Sequence, residues 1–426
     1  MIDRLISYFS LIFSFDQNAP LLFTQFYFWA FFAIVFALFS LIHNKFALRN
    51  AFLFFVSLFF YYKTSGSYVL ILIFTVVANY FLAKWIHRLS SIRWRQFAVI
   101  FAVLINLLTL CYFKYTYFFL DLIHQVFGIE LHAYNFFNAA SNALFKTESL
   151  VDRIVLPVGI SFFTFQAISY IVDVYRKTVA PVKSLLDFGF YLTFFPQLVA
   201  GPIVRANKFI PQLYKQSYLP RRTFGLAVFW ILNGLAKKII MSDYLAVNFV
   251  DRVFETPLLF TGFENLLALF AYSLQVYADF SGYTDIAIGV ALLMGFHLPK
   301  NFNSPYKAIN PSAFWRRWHM SLSTWLRDYL YIPLGGNRRA GFGTFFWIGI
   351  ISIIATILSG SLFVGLVLVL FFIGLGIYAY FHSEDRRSIT TQMNNMTTML
   401  LGGLWHGASW NFMIWGGLNG AGMILN

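Results

Sequence analysis

Apolar runs of about twenty residues recur along this chain, and that length matches the hydrocarbon core of a bilayer. They fall at 21–42, 68–86, 97–118, 156–174, 188–204, 224–240 and 266–293, with a shorter one at 51–62. Backbone surrounded by lipid must satisfy its own hydrogen bonds, which leaves helices or closed barrels. Runs this long and continuously apolar are helical, so the fold class is an all-α, polytopic transmembrane helical bundle. Only 11% of residues are charged, against about 25% in soluble domains, and the mean hydropathy is +0.68. The 426 residues read as a single integral-membrane domain.

The net charge of +14 would point to nucleic acid in a soluble protein. Here the basic residues sit in short loops between apolar runs. Lys84, Arg88, Arg93 and Arg95 form one group, and Arg205, Lys208, Lys215, Arg221 and Arg222 another. That distribution predicts loops facing the cytoplasm and anionic lipid, with no nucleic-acid partner. A few of these cations are also placed to meet an anionic substrate such as a coenzyme. Cys111 is the only cysteine, so an internal disulfide or a cysteine metal site is excluded. The first twenty residues carry no small-residue cleavage pattern and read as a retained interfacial or re-entrant helix.

Four regions follow from the pattern. Residues 1–150 hold N-terminal spans and an external loop, 119–150, with an amphipathic helix. Residues 151–339 form a core that carries most of the polar motifs. Its last part, 300–339, is broken by Pro305, Pro311 and Pro333 into short pieces wedged into the bundle or lying at its cytoplasmic rim. Residues 340–383 lack Asp, Glu, Lys and Arg and suit an apolar hairpin that crosses twice, turning near Ser359-Gly360-Ser361. The last apolar run, 396–424, reads as one helix carrying His406.

Ionisable groups at membrane depth cost roughly 2.5–3.5 kcal/mol on insertion scales, so they mark cavities or partners. Three clusters qualify. In LQVYADFSGYTDIAIG (274–289), Asp279, Ser281, Tyr283 and Asp285 interrupt an apolar run. Asp279 and Tyr283 are four apart and are predicted to share a helix face and a hydrogen bond. A buried network joining helices and a substrate-lining face are both open for this cluster. In FWRRWH (314–319), Arg316, Arg317 and His319 lie among Trp315 and Trp318. Paired arginines bind phosphates, and indoles offer stacking surfaces. An interfacial aromatic belt with anchoring arginines is the alternative. In LLGGLWHGASWNFMIWGG (400–417), His406 follows Trp405, and Gly403–Gly407 and Gly416–Gly420 are steps that allow close helix approach. His406 is either a hydrogen-bonding helix contact or a general base. No phosphate loop, HExxH zinc site or GxSxG elbow is present.

These clusters, together with FFPQLVAGPIVR (194–205), NFNSPY (301–306, where Phe302 is flanked by Asn301 and Asn303) and RDYLYIPLGGNRR (327–339), resemble the membrane-bound O-acyltransferase family. Within it they are similar to the bacterial branch that includes the membrane subunits for alginate and peptidoglycan O-acetylation. The strings span roughly 156–417. The resemblance implies a ring of tilted helices around a central tunnel. It places the family's signature histidine at His406 and a second motif histidine at His319, both as catalytic residues. Asp279, Ser281, Tyr283, Trp405 and the Asn301–Phe302 neighbourhood would line the substrate tunnel. Arg316, Arg317 and Trp318 would hold the acyl donor. It also implies acetyl-CoA as a cytoplasmic donor, with no bound cofactor and no metal. A separate extracytoplasmic O-acetyltransferase would be the partner, and an exported glycan the acceptor, in a bacterial cytoplasmic (inner) membrane protein. The Phe- and Tyr-rich composition suits an AT-rich genome and favours peptidoglycan over alginate. Another exopolysaccharide, D-alanyl transfer to teichoic acid and a non-enzymatic transporter or flippase are the alternatives. Two departures stand out. The hairpin 340–383 separates GGNRR from the histidine segment, where the family pattern has a short polar linker. Relatives also usually continue past that segment, so further helices are expected beyond residue 426.

Overall fold

The computed structural model describes residues 15–16, 20–145, 151–216 and 218–425. The helix expected within residues 1–20 lies outside the described residues. Among the described residues the chain is helical, without strands. The longer helices are α1 Phe26–Ile42, α2 Phe46–Ser65, α3 Val69–Arg88, α4 Ile92–Lys114, α5 Thr116–Phe127, α6 Phe136–Phe145, α7 Ile160–Tyr175, α8 Leu185–Thr193, α9 Arg221–Glu255 and α10 Gly262–Leu293. Then follow the short α11 Pro311–Trp315 and α12 Met320–Leu326, and α13 Phe342–Leu358, α14 Leu362–Phe381, α15 Arg386–His406 and α16 Trp410–Ile424. The runs Phe46–Arg88, Ile92–Lys114, Arg221–Glu255 and Leu362–Phe381 are long and apolar enough to cross a membrane. The chain divides into two compact units, 1–107 with 157–303 and 108–156 with 304–426.

In the first unit, polar side chains tie the apolar helices together. Asn79 of α3 and Asn106 of α4 exchange amide hydrogen bonds of 3.0 and 2.8 Å. The buried Arg49 of α2 donates to the carbonyls of Leu213 (2.5 Å) and Lys215 (3.0 Å), and Asn50 donates to Asp187 (2.8 Å). The span expected at 188–204 is instead broken. α8 stops at Thr193, because Pro196 brings no backbone N–H to the next turn. The buried end of α8 is then satisfied by side chains. Gln166 and Gln197 both donate to the Tyr191 carbonyl, at 2.8 and 2.9 Å, and Ser57 accepts from the Phe195 amide at 3.1 Å.

Helix α9 outruns its expected end at residue 240, continuing as far as Glu255. Lys237 and Lys238 look like a terminus in sequence, but both are paired. Lys237 bonds Asp285 of α10 at 2.6 Å, and Lys238 bridges Asp243 (2.7 Å) and Asp279 (2.6 Å). α10 begins at Gly262, four residues before the apolar run, because Thr261 and Glu264 form a reciprocal cap. α9 and α10 cross at Gly234 and Gly282. A Cβ on Gly234 would lie 2.5 Å from the Gly282 carbonyl oxygen.

In the second unit, residues 119–145 fold into two helices, α5 and α6, rather than a loop with one. The rest of the expected loop, 146–150, lies outside the described residues. The apolar residues 342–381 form α13 and α14, joined at 359–361. The last run is not one helix. α15 starts early, at Arg386, and ends at His406, and α16 starts at Trp410. Gly407 is extended there, and a Cβ on it would lie 2.1 Å from the Phe412 ring.

The α9–α10 crossing is testable with one glycine at the contact and one away from it. Gly282→Val is expected to destabilise by about 1–3 kcal/mol through overpacking, read as a lower thermal midpoint of detergent-purified protein. Gly225→Ala in α9, where an added Cβ meets nothing within 4 Å, is expected to leave the midpoint unchanged or raise it, by at most about 1 kcal/mol.

Candidate active site

The site is built where α15 stops. Near its end, Gly403 faces Gly416 of α16 so closely that a Cβ on Gly403 would lie 2.2 Å from the Phe412 carbonyl oxygen and 3.0 Å from Gly416 Cα. This crossing turns α15 directly into α16 and leaves Trp405 and His406 at the break. The last carbonyls of a helix lack partners within it. Here they are taken up by the junction of α4 and α5. Lys114 Nζ donates to the Trp405 carbonyl, and Tyr115 Oη donates to the Leu404 carbonyl at 2.9 Å. The Lys114 ammonium also lies 5.3 Å from the Trp405 ring centroid and is close enough to His406 to bear on its charge.

His319 reaches the same place from the other side of the sequence. It is the residue before α12, with a left-handed backbone (φ 42°, ψ 53°). Such a conformation is uncommon outside glycine and clusters at functional sites. The side chain is 1% exposed. Its ring centroid is 6.0 Å from that of Trp405, whose indole in turn lies 4.9 Å from the His406 ring, edge-on. The two imidazoles therefore border one indole, and Trp415 closes the other side of His406 at 5.1 Å. Burial, with His406 as a second cause, pushes the His319 imidazole well below its usual range. Both causes favour the uncharged imidazole.

Of the residues expected to hold the acyl donor, Arg316 is exposed and Arg317 half-buried, in the turn before His319. Trp318 stacks on Phe314 at 5.5 Å, and Trp315 meets Trp415 edge-on at 5.6 Å, which ties this turn to α16. The GGNRR turn is fastened to α15 as well. Buried Asn394 donates to the carbonyls of Gly336 (2.8 Å) and Arg339 (3.1 Å) and accepts from Thr344 at 2.6 Å.

The remaining predicted residues belong to the first unit. Asp279 does not share a hydrogen bond with Tyr283 as expected. It pairs with Lys238 at 2.6 Å, since an ammonium is a stronger donor to a carboxylate than a phenol. Tyr283 stacks on Phe23 with centroids 4.6 Å apart, and Ser281 is fully buried. Asn301 is buried, and Phe302 packs edge-on against Tyr277 and Phe280. Asp285 takes hydrogen bonds from Asn233 (2.7 Å) and Lys237 (2.6 Å). Lys114 and Tyr115 were not among the residues the sequence singled out. Their signal is a lone lysine closing a 23-residue apolar helix.

The long apolar helices define the chain as a multi-pass membrane protein, and the buried His319 and partly buried His406 meet about Trp405 at the end of a broken helix. A model of the membrane-bound O-acyltransferase family matches residues 107–381, which include His319 and stop short of His406. The chain is 33% identical to a peptidoglycan O-acetyltransferase of Helicobacter pylori, over 85% of this chain and 62% of that protein. It is 34% identical to a probable alginate O-acetylase AlgI of Pseudomonas aeruginosa, over 87% of this chain and 59% of that one. A teichoic acid D-alanyltransferase of Bacillus subtilis is 34% identical over 41% of this chain and 45% of its own length. The chain belongs to the membrane-bound O-acyltransferase family. It spans about three fifths of the length of the first two relatives.

Replacing Lys114 with Met removes the donor from the Trp405 carbonyl. A buried carbonyl left without its partner costs about 1–3 kcal/mol, so a lower thermal midpoint is expected, whereas Lys114→Arg retains a donor and most of the stability.

Proposed function

We propose that this protein is an O-acetyltransferase subunit of the bacterial cytoplasmic membrane. It takes acetyl from cytoplasmic acetyl-CoA and passes it towards an exported glycan, with peptidoglycan as the acceptor. The observation that carries this reading is the pairing of His319 and His406 about Trp405. Acyl transfer from a thioester needs a base that removes the proton of the attacking hydroxyl as its oxygen bonds to the carbonyl carbon and the carbon–sulfur bond breaks. His406 is assigned that base. His319, buried behind the shared indole, is assigned to orient the reacting groups. The relatives named for peptidoglycan and alginate O-acetylation support the acetyl group and the glycan class.

Arg316 and Arg317 are assigned to the phosphates of the coenzyme, and Trp318 supplies an aromatic face beside them. The polar face of α10, with Asp279, Ser281 and Tyr283, is proposed to line the acceptor's route together with the Asn301–Phe302 neighbourhood. A separate extracytoplasmic acetyltransferase would complete the transfer to the wall.

Ester-linked acetate released by mild base from purified peptidoglycan tests the assignment. A strain lacking the protein and one carrying His406→Ala are both expected to lose it, by about 10²–10⁴-fold for the variant, the usual contribution of a positioned base. Undiminished acetate in the strain lacking the protein removes peptidoglycan as acceptor, and undiminished acetate in the variant alone, with the variant present in the membrane, removes the assignment of His406 as base. Base-labile D-alanine lost from teichoic acid in the same strains would select that chemistry instead. For the donor, Arg316→Gln with Arg317→Gln is expected to raise the KM for acetyl-CoA about tenfold or more, with kcat little changed, since charge-assisted bonds contribute about 1.5–3 kcal/mol each.

A further inference from the structure

The hairpin α13–α14 encloses space. Together with α15 and the turn before α13 it bounds a cavity of about 1110 Å³, slightly larger than the 300–1,000 Å³ of ordinary ligand pockets. Its lining is divided by chemistry. Arg338 and Arg339 precede α13, and Arg386 and Arg387 open α15, so four guanidinium groups gather where the hairpin leaves and rejoin the chain. Arg387 Nε donates to the Asn337 carbonyl at 3.0 Å, which ties the two pairs together. No carboxylate lines the cavity. Beyond the arginines the walls are mostly apolar, with Ile348 from α13 and Phe372 from α14, and carry the hydroxyls of Ser352, Tyr380, Ser383 and Thr390.

Depth separates the possible occupants. The lining reaches Ile353, eleven residues along α13 from Phe342, or about 16 Å at 1.5 Å per residue. That is roughly one leaflet of a 30 Å hydrocarbon core. α14 is long and apolar enough to cross a membrane and has no buried side chain among the described residues. A small phosphate would use only the arginine end, and an uncharged chain only the walls. A ligand with a phosphate head and an acyl tail uses both.

We propose that this cavity is a binding site for an anionic glycerophospholipid, with its phosphate on Arg338, Arg339, Arg386 and Arg387 and one acyl chain between α13 and α14. Guanidinium forks match phosphate oxygens bidentately. Because Arg387 and Asn394 hold the same turn against α15, the lipid sits on the helix that ends at His406.

The test adds phosphatidylglycerol or phosphatidylcholine at equal concentration to purified protein in detergent and counts bound lipid by native mass spectrometry. Phosphatidylglycerol is expected to be retained about tenfold over phosphatidylcholine. Arg338→Gln with Arg386→Gln is expected to abolish that preference. Gly349→Leu and Gly376→Leu reach into the cavity from positions where a Cβ meets nothing within 4 Å. Each is expected to reduce retention of phosphatidylglycerol with the arginines intact, which keeps the test valid if the double variant fails to fold. Equal retention of the two lipids, or filled variants that bind as well as the parent, would overturn the site. So would thermal stabilisation by inorganic phosphate equal to that by phosphatidylglycerol, which would leave an anion site without a chain.

Discussion

The contact of Gly403 with Gly416 sets the position of everything around His406. Helices in lipid gain nothing from excluding water from one another, so they associate through close packing and hydrogen bonds. With only hydrogen atoms between the backbones, α16 folds straight back on α15. That reversal ends α15 at His406 and exposes its last carbonyls to Lys114 and Tyr115. It also places Trp415 beside the imidazole. His319 then completes the pair from a strained turn whose left-handed backbone is held in place by the aromatic packing of Trp315 and Trp318.

The same economy of polar groups runs through the first unit. Where α8 stops short, its open Tyr191 carbonyl is covered by the side chains of Gln166 and Gln197. Buried Arg49 has partners on another segment in Leu213 and Lys215, and buried Asp285 is paired with Lys237. In hydrocarbon an unsatisfied polar group costs several kcal/mol. These pairs therefore fix which helices lie side by side, where apolar contact alone is nearly indifferent to partner.

Much of this was legible from residue order. Runs of sufficient length and hydropathy located most helices, and the divided segment 300–339 was marked by its prolines. FWRRWH and LLGGLWHGASW marked both histidines of the site. The misreadings share a cause. The run 224–240 was given too early an end because the carboxylates that pair with Lys237 and Lys238, Asp285 and Asp279, lie more than forty residues further along the chain. The segment 396–424 looked continuous because its glycines read as helix-contact steps, whereas Gly407 is the point of reversal.

Residue order by itself determined that this chain is a helical membrane protein, because only helices can carry such apolar runs through lipid. It also determined which side chains are chemically notable, since ionisable groups stand out against an apolar background. The tertiary structure alone decided which of them meet. His319 and His406 are 87 positions apart in sequence, and their convergence on Trp405 depends on two glycines and on capping groups from a distant helix junction. No local pattern records such contacts, because the energy that selects them is shared among residues far apart along the chain.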